Sequence, residues 1–456
     1  MRFVEIDASR AGRAALDRFY RDLYVVAFPD ADERESLRNM AWYIKRRAEG
    51  WYGPNNFHIL VAQQHGLPLG GSVFDYLAGP NAGVIEFLFT RADLRACGYG
   101  SALLAETVHA LRADARRARA GRLKAIVAEM NDPFRRSAIP DEMDPFERAA
   151  IWGRWGFSKL DVPYVQPALS AGKRPVHNLT LVADMLAEPK ATCADGGWLL
   201  EVVRGYMRWA MRIEQPSRNA QFRALARHIA THRTVPLIPL GDYVGRNVPR
   251  GLVIEEIDAR HRAFDAVMTL LQELLPAGRT ASPHEFERAL AAGKSGAYRY
   301  HLWRLASPPS ELVQGVASFF TLARAGFGGY LVFAQSVRGQ GLLRPVIARI
   351  EEQMVKDATG ADGWFIECDA VAAQPFIAVG FRELPVDYRP PRVGPTAGMA
   401  EPERLKLLYK RFGSTSGALP GRRFLLDTVA DILRHVYGVR APRAHPCYRR
   451  LKRRAR

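Results

Sequence analysis

Four marks occur twice in this chain of 456 residues, in the same order. Glu5-Ile6-Asp7-Ala8 returns as Glu256-Ile257-Asp258-Ala259. Arg95-x-x-Gly98 returns as Arg338-Gly339-Gln340-Gly341, each time after an apolar run and before a helical pattern. Gly156-Phe157 returns as Gly380-Phe381, and in both copies a tyrosine, Tyr164 or Tyr388, follows the phenylalanine by seven. An amphipathic segment closes each copy, starting at Trp198-Leu199-Leu200 in one and at Phe424-Leu425-Leu426 in the other. Repetition of this kind predicts the same unit folded twice. The length agrees, since it exceeds what one ordinary core supports.

Periodicity gives the elements of the first copy. Residues 2–10 read as a strand and Arg13 to Val26 as a helix, which Phe28-Pro29-Asp30 breaks. A second helix runs from about Glu33 to Arg47. Phe57 to Gln63 and Pro68 to Leu77 form a hairpin around His65-Gly66. Val84 to Thr90 is a buried strand, and Ser101 to roughly Leu111 a helix with Leu103, Leu104, Val108 and Leu111 on one face. Leu123 to Met130, Glu147 to Trp155, a strand opened by Gly156-Phe157 and His177 to Ala183 complete the order β-α-α-β-β-β-α-β-α-β-β. Between the strand and helix at the centre lies Arg95-Ala96-Cys97-Gly98-Tyr99-Gly100, followed by Ser101. The first amides of a helix have no internal acceptors, and that end of the dipole is positive. Glycines there let the backbone close around phosphate oxygens, and Arg95 adds a charged donor. The spacing is neither the dinucleotide fingerprint nor the P-loop.

Arg-x-x-Gly-x-Gly after a strand and opening a helix resembles the coenzyme A signature of the GNAT acyltransferase superfamily. Gly156-Phe157 after a helix resembles the end of that family's last helix. The resemblance covers roughly residues 1–186 and, through the repeat, much of the second half. It implies a mixed α/β fold: two GNAT-like domains, each a largely antiparallel sheet with helices on both faces. The expected boundaries are 1–187 and 250–412, with a helical linker at 188–249 marked off by Pro236, Pro239 and Pro249, and a helix and basic tail at 413–456.

What the resemblance implies for chemistry is acyl transfer from acetyl-CoA, or another acyl-CoA as co-substrate, to the amine of a small molecule or peptide. No metal is implied. The thioester would lie against Leu88, Phe89 and Thr90, and the diphosphate against Arg95, Ala96, Cys97, Gly98, Tyr99, Gly100 and Ser101, with Asn131 a further contact. A protonated amine is no nucleophile, so a base is needed. Glu86 stands nine before Arg95, where many family members carry that base; the alternative is a strand carboxylate in an ion pair. Glu129 is the second base candidate. Family members often use a tyrosine four before the Gly-Phe glycine to protonate the thiolate, but Trp152 and Phe376 stand there. Tyr164 or Tyr99 would be the substitutes, or the thiolate leaves unaided; the alternative for Tyr164 is a packed aromatic. In the second copy Arg338, Gly339, Gln340 and Gly341 keep the loop, but Gly329 replaces the base and Leu343 the last glycine, which predicts a degenerate copy serving as scaffold or acceptor-side lid. The acidic group Asp30, Asp32, Glu33 and Glu35 would suit a cationic acceptor, or simply favour a helix start.

Composition narrows the rest. The charged N-terminus lacks a signal-peptide core, no apolar run is long enough for a membrane span, and four scattered cysteines form no disulfide framework or metal spacing. A cytoplasmic monomer or homodimer is expected. The net charge of +18 includes a run from Arg440 to Arg456 with eight basic residues and no acid. A solvated, poorly ordered tail is favoured there over a nucleic-acid contact. Two further readings stand beside the enzyme: an aminoacyl-tRNA-dependent transferase of the Fem type, which also pairs two GNAT-like domains, and a non-catalytic coenzyme A-binding module.

Overall fold

A computed structural model describes the chain except residues 136–138, 140, 171, 250, 276–279, 294–295, 309–311, 359, 392–401, 415–418 and 455–456. It divides into two compact units, Met1–Gly241 and Asp242–Arg456. Among the described residues no helix is long and apolar enough to cross a membrane.

The first unit is a nine-stranded sheet in the order β1-β2-β3-β4-β5-β7-β6-β9-β8. Its strands are β1 (Arg2–Glu5), β2 (Asn56–Gln64), β3 (Leu67–Leu77), β4 (Ala82–Thr90), β5 (Ala125–Asn131), β6 (Ser158–Leu160), β7 (Leu179–Asp184), β8 (Cys193–Asp195) and β9 (Thr234–Pro239). Helices α1 (Arg10–Phe19), α2 (Leu37–Ala48), α3 (Tyr99–Arg117), α4 (Pro145–Arg154), α5 (Gly196–Trp209) and α6 (Ala220–His232) flank it. Every pairing is antiparallel except β4 with β5. The second helix starts four residues later than its acidic residues suggested. Ser36 is the cap, its Oγ accepting from Asn39 N, so Glu33 and Glu35 lie before the helix and are buried rather than charging its first turn.

The second unit repeats this with seven strands, in the order β10-β11-β12-β13-β14-β16-β15. They are β10 (Val253–Glu256), β11 (Arg299–Ala306), β12 (Val313–Thr321), β13 (Gly326–Phe333), β14 (Gly363–Cys368), β15 (Arg382–Glu383) and β16 (Lys406–Arg411). Its helices are α7 (Phe264–Leu274), α8 (Pro283–Gly293), α9 (Leu343–Asp357), α10 (Ala370–Ala378), α11 (Arg422–His435) and α12 (Pro446–Arg454). Only β13 and β14 pair in parallel.

Two expectations are corrected. Residues 188–241 are not a linker. Strand β9 pairs with β6 and β8, and Trp198, Val202 and Tyr206 of α5 are buried against the first sheet. Pro236 and Pro239 are tolerated because β9 makes only three paired positions with each neighbour. The basic C-terminus is not a loose tail either. It ends in α12, which buries Cys447, Tyr448 and Leu451 in the second core and leaves Arg449, Arg450, Lys452 and Arg453 exposed.

One buried arrangement occurs in both units. His58 on β2 holds Glu5 Oε1 at 2.7 Å and Asp114 Oδ2 at 2.8 Å, tying the first strand to the far end of α3. His301 on β11 holds Glu256 Oε1 and Asp357 Oδ2, both at 2.8 Å. Each ring stacks on a phenylalanine, Phe74 or Phe319. Burial alone would lower the His301 pKa, but the hydrogen bonds to Asp357 and Glu256 outweigh it and raise it to about 9. A histidine raised in the folded state stabilises fully below its unfolded pKa of about 6.5 and loses that contribution as pH rises through about 9. Replacing His301 with Gln is therefore expected to cost on the order of 3 kcal/mol at pH 6. The cost should shrink towards pH 10, measured as the wild-type minus variant difference in denaturant unfolding of the second unit.

Candidate active site

The site begins where a strand pair stops. In the first unit β4 and β5 pair only from Ala82–Ile85 to Ala125–Ala128, and both strands then continue without pairing to each other. At that point β4 also bulges against β3. Val73 faces Phe87 and Phe74 faces Ile85, so Glu86 has no partner across the pair. In the second unit β13 and β14 pair only at Gly326–Trp364 and Phe327–Phe365, with an irregularity opposite Ser318.

A loop with left-handed backbone at alternate residues leads into the next helix in both units. Ala96 (φ 64°) and Gly98 (φ 82°) precede α3; Gly339 (φ 77°) and Gly341 (φ 74°) precede α9. A residue with a Cβ rarely takes this conformation, so Ala96 is strained. Gly98 caps α3 with no side-chain hydrogen bond, which leaves the amides of the first turn without an acceptor inside the helix. Gly100 is favoured for another reason: a Cβ there would press on the Trp155 ring at 3.2 Å.

Strand divergence, bulge and helix-opening loop recur in both units, on the same strand order. One fold is thus built twice in this chain.

Several solved structures are similar to it. A protein described as a GNAT-family acetyltransferase from Bacteroides thetaiotaomicron is 22% identical over 46% of this chain and 96% of its own, with a TM-score of 0.33. A tandem GNAT protein from the clavulanic acid biosynthesis pathway is 14% identical, covering 91% of this chain and 99% of its own, with a TM-score of 0.28. A ribosomal-protein-alanine N-acetyltransferase from Brucella melitensis is 17% identical over 41% and 99%, with a TM-score of 0.27. No protein-family model and no curated protein matches the sequence.

In the first unit a cavity of about 310 Å³ opens on the loop. Leu88, Phe89, Thr90, Arg95, Ala96, Gly98, Tyr99, Gly100 and Ser101 line it; Cys97 and Asn131 do not. Phe28 adds an apolar wall by packing edge-on to Phe89 at 5.3 Å. Arg154 adds positive charge, as does Arg95, whose guanidinium also donates to the Glu142 carbonyl at 2.8 Å, while Arg148 is paired with Asp141. Trp152, in the place of the family's tyrosine acid, lines the cavity with no proton to give. The loop residues Arg338, Gly339, Gln340 and Gly341 line no cavity described in the second unit.

The acid–base candidates separate. Glu129 lies in a closed cage. Tyr164 donates to its Oε1, while Gln166 Nε2 (2.9 Å) and the Tyr206 hydroxyl (2.8 Å) donate to its Oε2. Burial raises the pKa of this carboxyl and drives that of Tyr164 well up. Glu129, Tyr164 and Glu86 do not line the cavity, whereas Tyr99 does. Glu86 is not in an ion pair. It lies beside Asp75 of β3, whose side chain is 1% exposed. Burial, and then the charge of Asp75, holds Glu86 well above the usual carboxylate range, and burial lifts Asp75 to about 6. Two carboxyl groups so placed share a proton. Burial likewise raises Glu33 to about 7, where it accepts from Asn178 at 3.1 Å.

Asp75, Gln166 and Tyr206 escaped the sequence reading. Tyr206 lay in a segment read as linker, and Asp75 sits on a strand with no motif of its own. Replacing Tyr206 with Phe should leave one Glu129 oxygen short of a donor and destabilise the first unit by about 1–3 kcal/mol in denaturant unfolding.

Proposed function

We propose that the first unit is an acyl-CoA-dependent N-acyltransferase acting on an amine of a small molecule or peptide. The observation that carries this is the cavity at the head of α3. One wall is apolar, Leu88 and Phe89 with Phe28; the other is a positive helix end with left-handed backbone and arginines. A ligand that fits both walls has an apolar or amide arm and a multiply charged anion, which describes acyl-CoA. The acyl thioester supplies the activated carbonyl. Unpaired amides along the open edge of β4 would bind its amide arm, and the loop and α3 its diphosphate. Glu86 is the residue we assign as proton acceptor. Its proximity to Asp75 raises its basicity, as suits a base that must take a proton from an amine near neutrality.

Acetyl-CoA or a longer acyl-CoA should raise the melting temperature, with about 2.7 kcal/mol of stabilisation at a hundredfold excess over Kd. Gly98→Asp should abolish that effect; open space surrounds a Cβ at this position, so the cost to the fold is the strain of the left-handed backbone, about 1–2 kcal/mol. No stabilisation of the wild type by any acyl-CoA would refute the assignment.

Glu86→Gln should lower turnover by roughly 100-fold and leave acyl-CoA affinity near normal. For Asp75→Asn the sign is fixed by electrostatics. Removing a neighbouring negative charge lowers the Glu86 pKa, so the acid limb of the kcat/KM profile should move to lower pH. A limb that stays in place in this variant would show that another group titrates.

A further inference from the structure

The second unit encloses a cavity of about 500 Å³, within the size range of small-molecule sites. It lies along β13, β14 and α8, and its wall is rich in aromatic rings, among them Tyr298, Tyr300, Tyr330 and Tyr437. Glu367 lies on this wall.

Comparison with the first unit shows why there is space. Glu367 occupies the place of Glu129: each pairs with a leucine of the neighbouring antiparallel strand, Leu407 or Leu181. Glu129 has donors on both oxygens. Glu367 Oε1 accepts from the Tyr437 hydroxyl, but Oε2 is buried with no hydrogen-bond partner. The missing donor is traceable. Gln166 stands two residues after Tyr164, and the same position after Tyr388 is Pro390, which lines the cavity and has no donor. Across the cavity, Gly329 stands where the first unit has Glu86. Two side chains that fill the first unit are thus absent from the second. Burial raises the Glu367 pKa and the Tyr437 and Tyr388 hydroxyls act against it, but the buried Tyr388 hydroxyl forms no full hydrogen bond.

A buried carboxylate oxygen without a donor is costly, and a ligand N–H placed at Oε2 removes that cost. The other acidic groups near it are already engaged. Glu285 accepts from Ser282 at the start of α8, and Asp369 from Val371 and Ala372 at the start of α10. Burial lowers the His435 pKa, which favours the neutral ring, and Arg288 is exposed. Tyrosine faces around a carboxylate suit a cation. We propose that this cavity is a second small-molecule site, distinct from the acyl-CoA site of the first unit, and that it takes a primary amine carried on an aromatic or aliphatic body. The amine nitrogen donates to Glu367 Oε2, where the first unit uses the Gln166 amide.

The test is calorimetric titration of the full chain with phenethylamine and with phenethyl alcohol, its neutral counterpart. The amine should bind at least about 10-fold more tightly than the alcohol, the usual scale for a hydrogen bond to a charged group. Pro390→Gln restores the missing donor, so it should weaken amine binding by about 10-fold or more while leaving the melting temperature equal or higher. Glu367→Gln should weaken it as well; if that variant fails to fold, Pro390→Gln alone decides. Acetyl-CoA binding should be unchanged in Pro390→Gln, and amine binding unchanged in Gly98→Asp, so this site and the acyl-CoA site stand or fall separately. Absence of amine binding would show that Glu367 and Tyr388 satisfy each other, and would overturn the proposal. Equal affinity for amine and alcohol, or full affinity in Pro390→Gln, would overturn it too.

Discussion

A parallel strand pair that stops pairing partway is the constraint on which the rest of each unit depends. β4 and β5 share hydrogen bonds over four residues on each strand, then continue apart. Unpaired backbone inside a protein needs other partners, or a ligand that supplies them. In both units the divergence coincides with a bulge or irregularity in β4 or β13. The loop after that strand, with left-handed backbone at Ala96 and Gly98 or at Gly339 and Gly341, then opens the next helix. What fills the gap distinguishes the units. The first places Glu86 and Gln166 there, and its cavity lies at the helix head. The second has Gly329 and Pro390, and its cavity lies over Glu367.

Buried carboxyl groups follow from the same geometry. Glu86, Asp75, Glu129, Glu33 and Glu35 all have raised pKa values, with burial the leading cause in each. They differ in how the cost is met. Glu129 has three side-chain donors and is held in place. Glu86 has a carboxyl neighbour instead of donors, and one of its oxygens has no partner. The acid–base role proposed for Glu86 rests on this difference, since a carboxylate saturated with hydrogen bonds has little to gain from a proton.

Much of this was legible in the sequence because the duplication exposes it. Strands, the helix-opening loop and its glycines follow from periodicity and from the positions of Arg95 and Arg338. The histidine clamps were legible and went unread: the register that sets Arg95 on Arg338 also sets His58 on His301 and Asp114 on Asp357. Other features were out of reach. No local pattern tells that β9 joins the first sheet, since its prolines read as a boundary. That α12 folds onto the second core depends on Cys447, Tyr448 and Leu451 lying on one face of a segment dominated by arginine. The Glu86–Asp75 and Glu129–Gln166–Tyr206 groupings join residues far apart in the chain, so only tertiary structure shows them.

Hydrogen–deuterium exchange with and without coenzyme A tests the central claim most directly, because it reads the backbone amides that are proposed to hold the diphosphate. Slowed exchange is predicted in peptides spanning residues 95–103, at the head of α3, with little change in those spanning 338–346. Protection confined to 338–346, or none in either, would contradict the account.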